Sequence, residues 1–424
     1  MLGFRNTPPR LLLAVVGSLA ILTSGIGEAR ETKSIISESK VSGALPLKVE
    51  KGDPTKSFWD EQVQYPFPVK YRMGRDNRGI GWEIAFMDEY RGTATKPPVL
   101  VLIHGKGANA GYYSELMKAA LAKGFRVIAP DIPHYGKSIP GNRMNPLART
   151  LQDTREAIHE VIVNRLGVKK AIYLGHSLGG QWVTGYALTW PENVEKVILV
   201  GSGGLEEYPT VLNNLPLFDP EYQYNYNRWK TVWDPVGHLG KEYAKDEEAI
   251  RLFYYFKTKD KSGAIVPSKA GYFFNDSEDA RFLTEARVQM IKGNKKEYEN
   301  YIITYIRDIY TMSIETRKED PRSLYKRIKE LKMPLLITYG DKEPYIPVAS
   351  LSGKKYLKSD VIKPVFDVLS STGNVPVVKI YPGAGHFVHT DFPQQFNEDV
   401  LKFATEGKVD GSVPATEVMR WKDQ

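Results

Sequence analysis

Residues 173–180 read Tyr-Leu-Gly-His-Ser-Leu-Gly-Gly and contain the pattern Gly-x-Ser-x-Gly around Ser177. The segment before them, residues 168–174, is short and partly apolar, which predicts a mostly buried strand. Residues 181–188 have helical character. The pattern therefore fits a nucleophile elbow, a sharp turn between a strand and a helix. Gly175 and Gly179 suit such a turn because Cβ atoms at these positions would obstruct a strained backbone.

Apolar segments alternate with helical segments on both sides of this turn. Residues 97–104 form an unbroken apolar run, which is typical of a strand buried on both faces of a parallel sheet. We predict further strands at 65–72, 81–90, 125–130, 194–201, 333–340 and 375–381, and helices at 113–123, 151–166, 360–369 and 396–405. This alternation predicts an α/β fold whose mostly parallel central sheet is flanked by helices.

The alternation stops between residues 204 and 332. This segment shows helical stretches and no clear buried strand, and residues 204–330 contain 21 of the chain's Phe, Trp and Tyr residues. We predict an inserted helical cap, or lid, at 204–332. It divides the core into a first part, 58–203, and a second part, 333–405. The polar residues 406–424 form a C-terminal tail of unknown role.

The N-terminal residues have the features of an export signal. Two arginines precede an apolar run at residues 11–22, and small residues follow up to position 29. The run is shorter than the about 20 residues that a membrane span needs, so an uncleaved anchor is the less favoured alternative. We expect a signal peptide at 1–29, a linker at 30–57, and a mature protein in the periplasm or the medium, away from the membrane.

Composition narrows the classes of function. The chain has 424 residues, no cysteine, and a formal charge of +8 at pH 7. Disulfides and a thiol nucleophile are therefore excluded, and the absence of a dense basic tract argues against nucleic acid. The seven histidines lack a typical metal-ligand spacing apart from the His386/His389 pair. We expect no metal, no cofactor and a small-molecule substrate; the sequence indicates no oligomeric state.

A serine hydroxyl needs a base that removes its proton, and the base needs a third group that orients it. The best candidate base is His386, because it follows the last predicted strand on a loop of small residues. His389 lies three residues further on, and its position favours a place beside the substrate pocket.

The orienting acid is expected after an earlier strand, in the order Ser, Asp or Glu, His. The segment Gly340-Asp-Lys-Glu-Pro-Tyr-Ile-Pro347 offers Glu343 and Asp341. We favour Glu343 as the acid and Asp341 as a brace of the turn, and keep Asp341 as the alternative. Glu206 or Glu207, just beyond the strand at 194–201, is a third possibility.

An acyl-transfer site also needs donors for the oxyanion that forms on the attacked carbonyl. The amide of Leu178, which follows the serine, is one candidate, and the amide of Lys106 in His104-Gly-Lys-Gly107 is the other. This segment lacks the spacing of a phosphate-binding loop. The Lys106 side chain either meets an anionic substrate group or, as we favour, faces solvent. Candidate pocket residues are His134, Tyr135, His176 and His389.

Taken together, these motifs resemble the α/β-hydrolase superfamily over about residues 65–405. The matching pieces are His104-Gly105, Pro130-Asp131 with Gly136-Lys-Ser138, Gly175-His-Ser-Leu-Gly179, Gly340-x-x-Glu343 and Gly385-His386. The resemblance implies the α/β-hydrolase fold. Within the superfamily, the chain looks like the capped serine hydrolases, which include esterases and carbon–carbon bond hydrolases. Two residues depart from the commoner pattern: Lys106 stands at a position that is often apolar, and Glu343 where aspartate is commoner.

The expected function is that of an exported serine hydrolase that cleaves an ester-like bond of a medium-sized, partly apolar substrate. Ser177, His386 and Glu343 would form the catalytic triad, and the reaction would pass through an acyl-enzyme. A serine nucleophile disfavours the chemistry of epoxide hydrolases and haloalkane dehalogenases, which use aspartate. The alternatives are the same machinery acting on a carbon–carbon or amide bond, and a non-catalytic binding protein.

Overall fold

The structure is a computed structural model that describes residues 57–138, 148–207, 247–269, 271–292, 304, 307–308, 311–318, 320–348 and 352–423. The predicted signal peptide and all but the last residue of the predicted linker lie outside these ranges. Among the helices that are described, none is both long and apolar enough to cross a membrane.

Eight strands form one sheet in the order β1-β2-β4-β3-β5-β6-β9-β10. Their bounds are β1 Val69–Arg75, β2 Gly81–Glu89, β3 Val99–Ile103, β4 Arg126–Pro130, β5 Ala171–His176, β6 Val194–Val200, β9 Leu335–Gly340 and β10 Val377–Tyr381. Only β2 pairs antiparallel, with β1 and with β4; all other neighbours are parallel. The prediction of a mostly parallel sheet is confirmed.

The centre of the sheet is buried on both faces. Every residue of β5 and of β9 is buried, and β3 is buried from its second residue onward. Helices cover both faces of the sheet, so these strands carry apolar residues at consecutive positions instead of at alternate ones. The carboxyl ends of β3, β5, β9 and β10 consequently meet at one edge of the sheet.

Besides helical residues at 311–315, eleven α-helices are described with their bounds. Their bounds are α1 Phe58–Gln62, α2 Ser114–Ala122, α3 Leu151–His159, α4 Leu178–Thr189, α5 Glu247–Tyr254, α6 Glu278–Lys292, α7 Leu324–Arg327, α8 Lys363–Ser371, α9 Val388–Asp391, α10 Pro393–Glu406 and α11 Ala415–Val418. A π-helical turn, Glu160–Arg165, prolongs α3, so the predicted helix at 151–166 changes its hydrogen-bond pattern after His159.

The segment that we predicted as a cap lies between β6 and β9, which are neighbours in the sheet. Its described parts contain α5, α6 and an exposed two-stranded hairpin, β7 Lys257–Lys259 and β8 Ile265–Pro267. Helix α6 packs on the turn Ala110–Tyr113 of the core: a Cβ atom at Gly111 would lie 2.5 Å from the Phe282 ring. The cap therefore rests directly on the loop that follows β3.

The C-terminal residues pack on the core, although their polar composition suggested only a tail. The Val413 amide donates to the carbonyl of Val378 on β10 at 2.8 Å. Val418 and Trp421 are buried. These contacts cover the edge of the sheet that β10 forms, where unpaired backbone groups would otherwise face solvent.

A buried ion pair joins the cap to the core. Arg155 of α3 is bidentate to Glu315, with Nη1–Oε1 at 2.6 Å and Nη2–Oε2 at 2.9 Å. The Arg155 side chain also donates to the carbonyls of Gln181 and Trp182 on α4. Gln181 in turn donates to Glu315 at 3.1 Å. This network ties residue 315 of the cap to the helix that follows the serine.

We expect Glu315→Gln to lower the free energy of unfolding by about 3–5 kcal/mol, because it leaves the Arg155 guanidinium buried without its carboxylate. Glu330→Gln is the matched control: Glu330 pairs with Arg327 at 3.0 Å, but the Arg327 side chain is about one-third exposed and that of Glu330 about half, so its loss should cost less than about 1 kcal/mol. Urea denaturation measures both values. Equal effects of the two substitutions would contradict the anchoring role of Glu315.

Candidate active site

Ser177 lies in the turn between β5 and α4 with φ 57° and ψ −119°, a backbone conformation that residues other than glycine rarely adopt. The turn is so tight that a Cβ atom at Gly175 would lie 2.1 Å from the carbonyl oxygen of Gly179. At Gly179 the same atom would lie 2.3 Å from the carbonyl oxygen of Ile103. Ser177 is half-buried, whereas its neighbours in sequence are buried. The strained turn therefore presents this side chain at the carboxyl end of the sheet.

His386 lies on the loop after β10, and its Nδ1 is 2.7 Å from Oε2 of Glu343 on the loop after β9. Both side chains are almost fully buried. The second carboxylate oxygen of Glu343 accepts the amides of Tyr345 at 2.8 Å and Ile346 at 3.3 Å. The carboxylate is thus held by its own loop, and one oxygen is left to bind the imidazole.

Asp341 takes the other position that the sequence left open. Its Oδ1 accepts the amide of Gly383 at 2.7 Å, and its second oxygen lies 3.6 Å from the Lys342 ammonium. The carboxylate is one-third exposed. The structure therefore brings Glu343 to His386 and uses Asp341 to join the β9 and β10 loops.

The loop after β3 lies against the elbow. A Cβ atom at Gly105 would be 3.1 Å from the Ser177 Cβ, so only glycine leaves room there. The buried ring of His104 holds this loop: Nδ1 donates to the carbonyl of Gly105 at 2.8 Å, and Nε2 accepts the amide of Ile132 at 2.9 Å. This pattern needs a neutral ring, in agreement with burial, which lowers the pKa of His104 to about 4.

Lys106 follows Gly105 and is half-buried, contrary to the solvent-facing position that we favoured. Desolvation lowers the pKa of its amine to about 8, and the Asp308 carboxylate partly opposes this shift. Asp308 is itself fully buried, and it accepts the Tyr135 hydroxyl at 2.6 Å and the Arg307 Nε at 2.8 Å. A cationic group therefore adjoins the loop that contacts Ser177.

The model of the α/β-hydrolase fold family matches residues 98–393. This chain belongs to the α/β-hydrolase family. The match covers the elbow, the β3 loop, Glu343 and His386, and it spans the inserted cap.

Two curated hydrolases are among the relatives of this α/β-hydrolase. The chain is 22% identical over 320 residues to the 2-hydroxy-6-oxo-6-phenylhexa-2,4-dienoate hydrolase of Burkholderia cepacia. The aligned region covers 73% of this chain and 88% of that protein. The chain is 24% identical over 311 residues to the 2-hydroxy-6-oxononadienedioate/2-hydroxy-6-oxononatrienedioate hydrolase of Escherichia coli O139:H28, covering 72% and 86%. The family and these relatives support a hydrolase.

Solved structures agree on the fold. A probable hydrolytic enzyme of Pseudomonas aeruginosa PAO1 matches with a TM-score of 0.57 at 20% identity, covering 83% of this chain and 99% of that one. A thermophilic esterase of Thermogutta terrifontis matches with a TM-score of 0.50 at 17% identity, covering 79% and 97%. At these identities the likeness concerns the fold alone.

The four candidate pocket residues of this α/β-hydrolase are all buried. The His134 Nε2 accepts the amide of Ala148 at 3.1 Å. The Tyr135 hydroxyl binds Asp308, and both ring nitrogens of His176 lie within 3.0 Å of protein oxygens. Three of the four thus use polar atoms to bind the protein, and a contact of these four side chains with substrate stays a prediction. No cluster of three or more metal-ligating side chains occurs in the described ranges.

Aromatic residues that the sequence did not single out surround His386. The Tyr345 ring lies 5.2 Å from the His386 ring and 5.7 Å from the Tyr272 ring. Tyr272 of the cap also contacts Phe387 at 5.2 Å. Of these rings, only Tyr272 belongs to the predicted cap, and nothing in the sequence indicated which rings would lie beside the base.

Asp391 fastens the cap to the loop of the base, and sequence reasoning missed it. Its carboxylate accepts the amides of Phe274 at 2.8 Å, Asn275 at 2.9 Å and Gly385 at 2.8 Å. Burial raises the pKa of Asp391 to about 6 although the three amides lower it. One side chain therefore holds two cap residues and the residue that precedes His386.

His389 is the exception among the buried histidines, because neither ring nitrogen has a hydrogen-bond partner in the described part of the chain. The ring packs against Tyr112 at 4.8 Å, Tyr113 at 5.4 Å and His176 at 4.8 Å. Burial, with a smaller contribution from His386, lowers the pKa of His389 to about 3. The ring therefore stays neutral and acts as an aromatic spacer behind the elbow.

We expect His389→Phe to stabilise the protein, and more strongly at acid pH. The change removes two buried polar atoms without partners, worth about 1–3 kcal/mol. The unfolded chain protonates His389 near pH 6.5 but the folded one only near pH 3. The natural protein therefore loses stability as the pH falls through that window, and the variant avoids this loss, which is worth about 2 kcal/mol at pH 5. Urea denaturation at pH 8 and pH 5 measures the difference; the same stabilisation at both would contradict a neutral, buried His389.

Proposed function

We propose that this chain is an exported serine hydrolase that cleaves an ester-like bond of a small molecule through an acyl-enzyme. The observation that carries the proposal is the 2.7 Å contact between Nδ1 of His386 and Oε2 of Glu343. Ser177, which is held at positive φ, lies on the loop after β5 at the same edge of the sheet. A buried carboxylate that orients an imidazole, with a serine held in a strained turn at the same edge of the sheet, is the arrangement that acyl transfer requires. Export rests on the signal-like residues 1–29, and N-terminal sequencing of the mature protein tests it.

In this mechanism each group has one task. Nδ1 of His386 donates to Glu343, which leaves Nε2 to accept the proton of Ser177 as its oxygen attacks the substrate carbonyl. Glu343 stabilises the resulting imidazolium and does not take its proton. The imidazolium then protonates the leaving alcohol, and the same base activates a water molecule that releases the acid and restores Ser177.

The oxyanion of the tetrahedral intermediates needs two donors. Leu178 is the first residue of α4, where backbone amides have no carbonyl of a preceding turn to bind and the helix dipole favours negative charge. The amide of Lys106 is the second proposed donor, because Gly105 brings this loop into contact with the Ser177 side chain. The Lys106 amine adds positive potential to the same region.

The substrate is proposed to have an apolar or aromatic portion of medium size. Support comes from the half-buried Tyr272 and Tyr345 and the buried Phe387 beside His386. Aromatic faces of this kind bind apolar groups and leave orientation to a few polar atoms.

A second candidate is the same machinery acting on a carbon–carbon bond, which the names of the curated relatives favour; an amide bond or non-catalytic binding are the further alternatives. A panel of esters with short, long and aromatic acyl groups, assayed beside amides and a 2-hydroxy-6-oxo-dienoate, separates these reactions. Turnover of the dienoate at a far higher kcat/KM than every ester would replace the ester proposal by the carbon–carbon one.

The nucleophile is tested with a fluorophosphonate, which reacts with an activated serine. We expect one equivalent of label per chain, located on Ser177, and no label on Ser177→Ala, because the substitution removes the attacking oxygen. Mass spectrometry of the intact protein and of its peptides measures both. An unlabelled natural protein, or a Ser177→Ala variant that is labelled equally, would refute the enzymatic proposal.

The acid is tested by comparing two isosteric variants. Glu343→Gln should lower kcat by about 10³-fold or more, since the amide cannot stabilise the imidazolium. Asp341→Asn is the matched control on the same loop, and its kcat should stay within about threefold of the natural value because the Asp341 carboxylate binds Gly383 and Lys342 and, among the described residues, does not contact His386. Steady-state kinetics on one ester measures kcat for both variants and the natural protein. A large loss in Asp341→Asn alone would move the acid to position 341.

A further inference from the structure

His176 directly precedes Ser177, and its fully buried ring lies behind the elbow. Its Nε2 is 3.0 Å from the carbonyl oxygen of His386, and its Nδ1 is 3.0 Å from the hydroxyl of Tyr112. A carbonyl oxygen can only accept, so Nε2 carries the proton. In a neutral ring Nδ1 is then an acceptor, and the Tyr112 hydroxyl donates to it.

The Tyr112 hydroxyl has a second partner, since it accepts the amide of Gly105 at 2.9 Å. It also lies 3.3 Å from the Tyr113 hydroxyl, whose own proton goes to the carbonyl of Ile103 at 2.9 Å. The Tyr113 oxygen could also accept the Tyr112 proton at 3.3 Å, but the unprotonated Nδ1 of His176 is nearer, at 3.0 Å, and has Tyr112 as its donor. A continuous chain of hydrogen bonds results, which runs from the Gly105 amide through Tyr112 and His176 to the carbonyl of His386.

The two ends of this chain belong to loops that the sheet does not hold together. The Gly105 loop follows β3 and the His386 loop follows β10, and β5, β6 and β9 lie between these strands. Backbone pairing therefore sets their separation only through three intervening strands. The chain through Tyr112 and His176 bridges them directly, behind Ser177.

The chain keeps its direction only while His176 is neutral. Burial, together with the neighbouring His386 and His389, holds the pKa of His176 well below its usual range. The rings of His176 and His386 are 4.8 Å apart. A neutral ring at this distance also avoids repelling the positive charge that His386 would gain during acyl transfer.

We propose that His176 is a positioning residue: with Tyr112 it sets the distance between the Gly105 loop, which carries the proposed oxyanion donor Lys106, and the base His386. This inference rests on the proposed serine-hydrolase function and deepens it. Donors and base must both be held to within about 0.5 Å of their productive positions around the reacting carbonyl, and a misplacement of about 1 Å costs about 100-fold in rate. His176 itself touches no reacting atom.

A core histidine that only fills space would need its volume and not its hydrogen bonds, and substitutions separate the two roles. Tyr112→Phe removes one hydroxyl and keeps the ring. His176→Phe removes both ring hydrogen bonds, and His176→Gln is the conservative variant, since its amide nitrogen can still donate to the His386 carbonyl. The matched control is Tyr173→Phe: this buried hydroxyl on the same strand binds the Tyr186 hydroxyl at 3.1 Å and lies outside the chain.

Kinetics on an ester and the rate of fluorophosphonate labelling are measured for all variants, with melting temperatures beside them. We expect Tyr112→Phe and His176→Phe to lower kcat and the labelling rate by about 10- to 100-fold, with KM within about threefold. The double variant should lose no more than the worse single variant, because both break one chain. His176→Gln should recover part of the loss. Tyr173→Phe should lower the melting temperature comparably and leave kcat unchanged.

If Tyr112→Phe keeps the kcat and labelling rate of Tyr173→Phe, or if the two losses add in the double variant, the inference is wrong while the proposed function stands. If the natural protein takes no label, the proposed function fails. The chain of hydrogen bonds is then tested by nuclear magnetic resonance of the His176 ring nitrogens. His176 should then show the Nε2–H tautomer and no titration between pH 5 and pH 9. A titrating ring, or the Nδ1–H tautomer, overturns the inference independently of activity.

Discussion

The turn at Ser177 is the constraint on which the rest of the site depends. Ser177 has φ 57°, a conformation that a serine adopts only when its surroundings leave no alternative. Here Gly175 and Gly179 let backbone segments meet at distances that no Cβ atom permits. The amide of Ser177 donates to the carbonyl of Val200 at 2.8 Å, and its carbonyl accepts the amides of Gly180 and Gly203 at 3.0 Å. The turn is thus fixed by hydrogen bonds of its own backbone, and the side chain is left for chemistry.

Parallel strands explain how groups from distant parts of the chain meet at this turn. The loops after β3, β5, β9 and β10 all leave the same edge of the sheet. They carry Gly105, Ser177, Glu343 and His386. Polar side chains then hold these loops: the neutral ring of His104 holds the first, and the Asp341 carboxylate joins the last two. The sheet brings the loops near one another, and these side chains determine their final geometry.

The cap is held to this edge by two buried carboxylates with different tasks. Glu315 pairs with Arg155 beside the elbow helix, and Asp391 binds two cap amides beside the base. A buried ion pair adds little net stability because desolvation offsets its attraction, so its value is in position. Asp391 binds the amides two and three residues beyond Tyr272, and this ring packs against Phe387. The shape of the proposed substrate site therefore depends on cap and core together.

The amino-acid sequence alone determined the strand and helix alternation, the elbow and the place of His386, because periodicity, glycine spacing and a histidine after a strand are local patterns. It did not decide between Glu343 and Asp341, since both lie on one loop two residues apart. Only the folded loop turns Glu343 toward His386 and gives Asp341 the amide of Gly383. The sequence also did not predict the hydrogen-bond chain through Tyr112 or the hydrogen bonds by which Asp391 joins the cap to the His386 loop. Their partners lie far away in sequence, and only tertiary packing brings such groups within hydrogen-bond distance.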